Sequence, residues 1–368
     1  MRLTKLEISC VRNLSAVEIE CAPGLNLFVG ANGAGKTAIL EGIHLLARGR
    51  SFRTATLGSV IQRGAVALRV GADLEDEQRG ALQIRLVKPV AGASQLSINA
   101  QPERRVSEVA RLMPIQLMLP DGSALVLGGP EERRRFLDWG TFHVEPGYID
   151  ALRDYQRTLQ QRNAVLRGVR EGVSDDSEID VWNAGLAELG TAVDGFRRRY
   201  LARLLPVVER QLQVMAPDVV VEVHYRSGWS EGQSFAESLR ESWSRDVKSG
   251  VTNRGPHRAE LRLDVDSERA SATVSRGQAK IIASAMRLAQ AEVTAAFGRR
   301  RSVFLIDDIG AELDDTHNER FFVALDALRC QVFATATVAP RKPVTFGGDR
   351  VKVFHVERGQ CRPKHTED

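Results

Sequence analysis

The chain has 368 residues, 27% charged and 43% hydrophobic, which excludes a disordered or fibrous protein and suits two globular units or one with a large insertion. A formal net charge of +4 gives only a weak argument for an anionic partner, and the excess of Arg (43) over Lys (8) fits either phosphate contacts or a genome rich in Arg codons. With no C-x-x-C spacing among Cys10, Cys21, Cys330 and Cys361, no apolar run near membrane-span length, and a start that alternates like a strand, the expectation is a cytoplasmic protein with reduced thiols and no membrane partner.

Residues 3–9 and 17–21 read as strands, and 25–29 (L-N-L-F-V) as a buried third. The turn between the first two carries Arg12 and Asn13, which either reach a bound nucleotide or are ordinary turn residues. The third strand feeds G-A-N-G-A-G-K-T, Gly30, Ala31, Asn32, Gly33, Ala34, Gly35, Lys36 and Thr37, which fits the phosphate-binding loop pattern. Glycines at 30, 33 and 35 let backbone N–H groups converge on phosphate oxygens. Lys36 supplies a point charge for the β- and γ-phosphates, and the Thr37 hydroxyl is a ligand for Mg²⁺. A helical pattern over 38–47 places a helix N-terminus beneath those phosphates. ATP with Mg²⁺ is the expected ligand pair.

Short alternating runs between 66 and 98 suggest an antiparallel sheet, and 115–119 another strand ending at Pro120-Asp121-Gly122. Residues 128–139, G-G-P-E-E-R-R-R-F-L-D-W, open a helix with Pro130 at its first position. Arg133, Arg134 and Arg135 fan around that helix, so they cannot all face one ligand; each is either solvated and salt-bridged or a phosphate contact. From Tyr148 the apolar residues fall at 4-3 spacing, with a polar break at Arg162, and a second such series runs from Trp182 to Val207. The acidic stretch 171–178 between them suggests a self-packed helical hairpin, which Pro206 should end or kink. A strand over 219–224, helical spacing over 230–245, and R-G-P-H-R-A-E-L over 254–261 follow. His257 there is a phosphate contact or a structural residue.

Ser275, Arg276, Gly277, Gln278, Ala279 and Lys280 open a long helix, with Ser275 as a good cap. The apolar run Val303–Ile306 ends in Asp307 and Asp308. A carboxylate at the end of such a strand is the usual partner of a phosphate loop, so Asp307 with Thr37 forms the candidate metal site. Asp308 beside it can polarise an attacking water. Glu312, Leu313 and Asp314 form a further loop, and 331–335 a last apolar strand.

Phosphate loop, S-x-G-Q helix, acidic strand end, E-L-D loop and final strand, in that order, resemble the ATP-binding-cassette ATPase head. Within that group the chain is most similar to the RecF family of bacterial recombinational repair proteins, through V-R-N-L, G-A-N-G-A-G-K-T, G-G-P-E-E-R-R-R-F-L-D-W, Q-Q-R-N, G-P-H-R-A-E-L, V-S-R-G-Q-A-K and L-I-D-D-I-G-A-E-L-D. The resemblance implies an α/β cassette-type head, residues 1–145 and 252–368, with an inserted helical-hairpin arm at 146–251. It implies that Ser275, Gly277 and Gln278 act on ATP held by another subunit, with Arg276 and Lys280 beside them. It also implies Asp308 as the catalytic acid and Glu312, Leu313 and Asp314 as the D-loop. The implied partners are a second copy on ATP, duplex or gapped DNA without base reading, and RecR, with RecO and RecA downstream. Two departures stand out. Asp308 replaces the cassette Glu, implying slow hydrolysis with ATP as a switch, and Thr335, Ala336 and Thr337 occupy the place of the switch His. The glutamine loop is open between Gln116 and the strand end at Pro120 and Asp121. A transporter-energising ATPase, or a structural tether that binds ATP without turning it over, are the rival readings.

Overall fold

A computed structural model describes residues 1–173, 179–312, 314–338, 346–347 and 350–364. The chain forms two compact units, Met1–Gly122 with Thr294–Asp368, and Ser123–Val293. The expected boundaries at 145/146 and 251/252 both fall inside the second unit.

The first unit begins with β1 (Arg2–Val11), β2 (Leu14–Glu20) and β3 (Leu25–Val29), then α1 (Lys36–Arg48). β4 (Ala67–Asp76), β5 (Gly80–Pro89), β6 (Gln95–Ile98) and β7 (Gln101–Glu103) precede α2 (Val106–Leu112) and β8 (Ile115–Met118). Strand alternation buries Leu6 and Ile8 of β1 against Val70 and Ala72 of β4, giving an antiparallel sheet of order β2-β1-β4-β5-β6-β7. Every residue of α1 from Ala38 to Ala47 is buried, because the helix shares one core with that sheet and with Phe28, Leu305, Phe333 and Phe354 of a second. Gly49, at φ 64, ends α1 by returning its N–H to Leu45 O.

The second unit holds α3 (Ala124–Leu127), α4 (Pro130–Val144), α5 (Tyr148–Arg170) and α6 (Ile179–Met215). β9 (Val221–Arg226), α7 (Phe235–Glu241), α8 (Trp243–Ser249), β10 (Glu260–Val265), β11 (Glu268–Arg269), α9 (Ala270–Thr273) and α10 (Arg276–Phe297) follow, the end of α10 running on into the first unit. β9, β10 and β11 form an antiparallel sheet in the order β11-β10-β9. α5 and α6 do pair, but α6 runs through Pro206 to Met215 rather than ending there. Residues 174–178 of the acidic stretch lie outside the described residues. The polar break at Arg162 is a wholly buried side chain, donating to Asp246 of α8 (2.9 Å), Thr252 (2.7 Å) and Asn183 of α6 (2.8 Å). That buried ion pair ties the hairpin into the unit.

The chain then completes the first unit with β12 (Val303–Ile306), α11 (Ile309–Glu312), α12 (Asp315–Ala327), β13 (Gln331–Ala336), β14 (Val351–Glu357) and β15 (Gln360–Pro363). These strands and two earlier ones form the second sheet, order β15-β14-β3-β13-β12-β8, parallel except for the β14–β15 hairpin. Its strands are continuous apolar runs, as expected where both faces are covered. β3, β13, β12 and β8 therefore deliver their carboxyl ends to one edge, and the loops there build the site.

Candidate functional site

Residues 30–37 leave the end of β3 and enter α1, with Gly33 at φ 78 and Gly35 at φ 119, a conformation that side chains rarely adopt. Gly30 has a second constraint: a Cβ there would lie 2.1 Å from Val356 O. Two neighbours brace the loop. Asn13 Nδ2 donates to Gly33 O at 3.0 Å, and Gly359 N–H, in the β14–β15 turn, donates to Ala34 O at 2.8 Å. Lys36 is largely buried, its ammonium donating to Gly30 O (2.6 Å) and Ala31 O (2.9 Å). Burial lowers its pKa, opposed by the charges of Asp308 and Asp307.

Thr37 Oγ1 donates to the Asp307 carboxylate at 2.9 Å. Thr335 Oγ1, at the end of β13, donates to the same carboxylate at 2.8 Å and accepts the Asp308 N–H at 2.7 Å. Asp308 sits at φ 60, left-handed backbone for a non-glycine residue, and this bond fixes it. A cleft of about 340 Å³ gathers Arg12, Asn13, Asn32, Gly33, Gly35, Lys36, Thr37, Asp307 and Asp308. Those nine sequence-predicted residues converge on one place. Gly30, Ala31 and Ala34 complete the loop behind them.

Arg12 lines the cleft, yet its guanidinium is already held by Glu41 (2.9 and 2.8 Å) and Ser59 O (2.9 Å). Glu41 is fully buried and also accepts from Ser51 Oγ at 2.5 Å; Ser51 Oγ in turn accepts the N–H groups of Arg53 and Thr54. Arg53 lines the cleft too, as do Pro120 and Thr337. Sequence reasoning missed Arg53, because a lone Arg in a loop carries no spacing signal. Gln116 is buried within β8, so Pro120 is what that strand end offers the cleft.

The signature residues belong to the second unit and do not line the cleft. Ser275 and Gln278 form a reciprocal capping box: Gln278 N–H donates to Ser275 Oγ (3.2 Å) and Ser275 N–H to Gln278 Oε1 (2.9 Å). Ser275, Arg276, Gly277 and Gln278 are exposed, and a Cβ on Gly277 would meet only Ser275 Oγ at 3.9 Å. Nothing inside the unit requires glycine there. Of the E-L-D loop, Leu313 and the Glu312 side chain lie outside the described residues, while Asp314 caps α12 through His317 N–H at 3.0 Å. Arg133 pairs with Glu260, Arg134 donates to Ala259 O and Arg135 pairs with Glu131 and Glu132. His257 is structural: its Nε2–H donates to Thr252 O (3.0 Å), its Nδ1 accepts from Tyr155 (2.6 Å), and burial pushes its pKa down to about 4.

A model described as the RecF/RecN/SMC N terminal domain matches residues 2–360. The protein is 36% identical to the DNA replication and repair protein RecF of Pseudomonas fluorescens and to that of Pseudomonas putida, over 99% of this chain and 99% of each relative. The chain belongs to the RecF family. A solved RecF–ATP structure, described as the recombination mediator protein of the RecFOR pathway, matches with a TM-score of 0.87 at 23% identity, over 99% of this chain and 97% of that one. An Smc head bound to the C-terminal winged-helix domain of ScpA matches with a TM-score of 0.61 at 17% identity, over 99% and 97%. The cassette-type α/β head expected from the motif order is thus the fold, shared by RecF and Smc heads. The curated members of that family that match this chain are named for DNA replication and repair. No helix among the described residues is long and apolar enough to cross a membrane.

Proposed function

We propose that the cleft binds ATP with Mg²⁺, and that ATP pairs two heads of this chain on duplex or gapped DNA to help place RecA at single-strand gaps. One observation carries the reading: Lys36, Thr37, Asp307, Asp308 and Thr335 meet at the ends of three adjacent parallel strands, around a glycine loop braced from two sides. Mg²⁺ fits the donors present. Thr37 Oγ1 and the Asp307 carboxylate are hard oxygens held against each other, and no cluster of three or more His, Cys, Asp or Glu occurs among the described residues. Mg²⁺ suits such a site, because it keeps waters and phosphate oxygens as its other ligands. When bound, the ion neutralises charge on the β- and γ-phosphates.

The chain's own residues do the rest. The Lys36 ammonium exchanges carbonyl partners for phosphate oxygens. Asp308, fixed by Thr335, accepts a proton from the attacking water. Its carboxylate is one methylene shorter than a Glu, which favours slow hydrolysis and ATP as a dimerisation switch. Ser275, Gly277 and Gln278 of a second copy close on the nucleotide, with Arg276 and Lys280 alongside and Asp314 in the D-loop. The exposed, internally unneeded Gly277 supports close approach by another backbone. Similarity to a mediator of the RecFOR pathway supports RecO and RecR as partners, and the free thiols Cys10, Cys21, Cys330 and Cys361 suit the cytoplasm.

The test is affinity for a short gapped duplex at fixed salt with ATP, ADP or no nucleotide. Tight binding only with ATP, abolished in Lys36→Met and in Ser275→Arg, is the expected result. Equal affinity in all three states would reduce ATP to a structural ligand and overturn the switch.

A further inference from the structure

We infer that Arg48, Arg50, Arg104 and Arg105 form one surface that docks the phosphate backbone of duplex DNA. The inference rests on the DNA-binding reading above and locates the contact. The arginine runs 133–135 and 299–301 are the more conspicuous in sequence. Yet Arg133, Arg134 and Arg135 are spent inside the second unit, and Arg300 and Arg301 pair with Asp76 and Glu77 in the first. Of the two runs, only Arg299 has no such partner among the described residues; the other five charges are already neutralised or anchored.

The four arginines named are different. Among the described residues, none of their guanidinium groups makes an ion pair or hydrogen bond. Arg48 ends α1 and Arg50 follows two residues later; Arg104 and Arg105 lead into α2. The fold brings the two pairs together through the residues between them. Gly49 turns at φ 64 so that its α-carbon packs on Val106, where an added Cβ would lie 3.0 and 3.1 Å from the valine methyls. Arg50, Arg104 and Arg105 are exposed and Arg48 is half-buried.

Counter-charge is scarce. Glu103 keeps its negative charge, its carboxylate accepting the Arg105 backbone N–H and pairing with neither guanidinium; Glu108 pairs with Arg111, and His44, with its Nδ1 on Arg50 O at 2.7 Å, is pushed down to about 4 by burial and stays neutral. Burial, with the neighbouring Arg50 charge, brings Arg48 down to about 10. The α1 dipole accounts for Arg48 at a helix C-terminus but not for the other three.

Chemistry selects the occupant. Guanidinium forks match phosphate oxygens. No exposed aromatic stands among them for base stacking, since Phe52 is half-buried edge-on to His44, so the surface suits a duplex backbone better than single-strand bases. A protein partner would ask for an apolar centre, and Val106 is the one exposed apolar side chain among these residues.

The test compares the full chain with an Arg50→Gln/Arg104→Gln/Arg105→Gln variant, with Arg245→Gln, an exposed arginine of the second unit, as control. Affinity for a blunt duplex is measured across a salt series with ATP, alongside affinity for ATP itself. The expected result is a salt slope reduced by about two to three, since each phosphate neutralised by a cation contributes about 0.9, with ATP affinity and the control unchanged. A variant that keeps the wild-type slope and affinity would overturn the surface while leaving DNA binding intact. No duplex binding by the wild type at any salt would overturn both. If vesicles containing phosphatidylserine bind more tightly than duplex, and the variant loses only that binding, the surface is a lipid headgroup site and the inference fails.

Discussion

Lys36 makes two bonds to its own loop, so its removal touches the loop as well as the phosphates. Lys36→Met leaves Gly30 O and Ala31 O without their donor and takes away a charge-assisted bond worth about 1.5 to 3 kcal/mol. ATP affinity should fall by at least about tenfold in a titration, with the melting temperature lowered only modestly. Asp308→Asn keeps shape and the backbone bond to Thr335 but loses the base, so single-turnover hydrolysis should drop by about 10² or more while ATP affinity is retained. Equal rates would remove Asp308 from the chemistry. Two histidines set a pH response. Burial pushes His44 and His257 down to about 4, below their ordinary range near 6.5. Both are therefore neutral when folded, and the unfolded chain takes up more protons between those values. Stability should be full above about pH 6.5 and fall as pH drops toward about 4, by up to ~3 kcal/mol per histidine. His44→Gln with His257→Gln should flatten that decline in thermal melts. At this scale the phosphate loop and acid pair were legible, because their chemistry lies in local spacing. Arg12 was legible as a candidate but its anchoring was not, since its partner Glu41 lies 29 residues away and only the fold brings them together.

Among the elements, α10 carries the sharpest test. A side chain at Gly277 meets open space within its own unit, so Gly277→Ala should stabilise the helix by about 0.5 to 1 kcal/mol. Gly277→Glu should leave stability close to wild type and abolish ATP-driven pairing, as read by sedimentation. Pairing that survives Gly277→Glu would remove this residue from the contact between copies. The hairpin tests the buried pair. Asp246→Asn leaves the Arg162 charge without a counter-ion in a site closed to solvent, and should cost the protein about 3 to 5 kcal/mol in denaturant melts. Arg162→Met with Asp246→Leu should recover part of that stability, though Asn253 and Ser242 also lose their acceptor. Alternation and 4-3 spacing made strands and helices legible. The same spacing misread Arg162 as a gap in an apolar seam, because periodicity registers a charge and not its burial. At Pro206, expected to end or kink the helix, the first outcome is excluded, since α6 runs on past it to Met215.

For the molecule as a whole, strand order was the least legible feature. Apolar runs reveal that strands exist, while their neighbours depend on pairings hundreds of residues apart. β3 lies between β13 and β14, and its phosphate loop is closed by Val356 and Gly359. That arrangement sets an order of events during synthesis. At ribosomal speeds of about 5 to 20 residues per second, the 302 positions from Val29 to Gln331 take roughly 15 to 60 s to appear. Throughout that interval β3 has no neighbour in its sheet, and the brace from Gly359 comes later still. The nascent chain must therefore keep an unpaired apolar strand from aggregating, and its glycine loop lacks the Gly359 brace until the β14–β15 turn emerges. ATP then adds its binding energy to a head that has just closed, acting as a ligand that rewards completed folding.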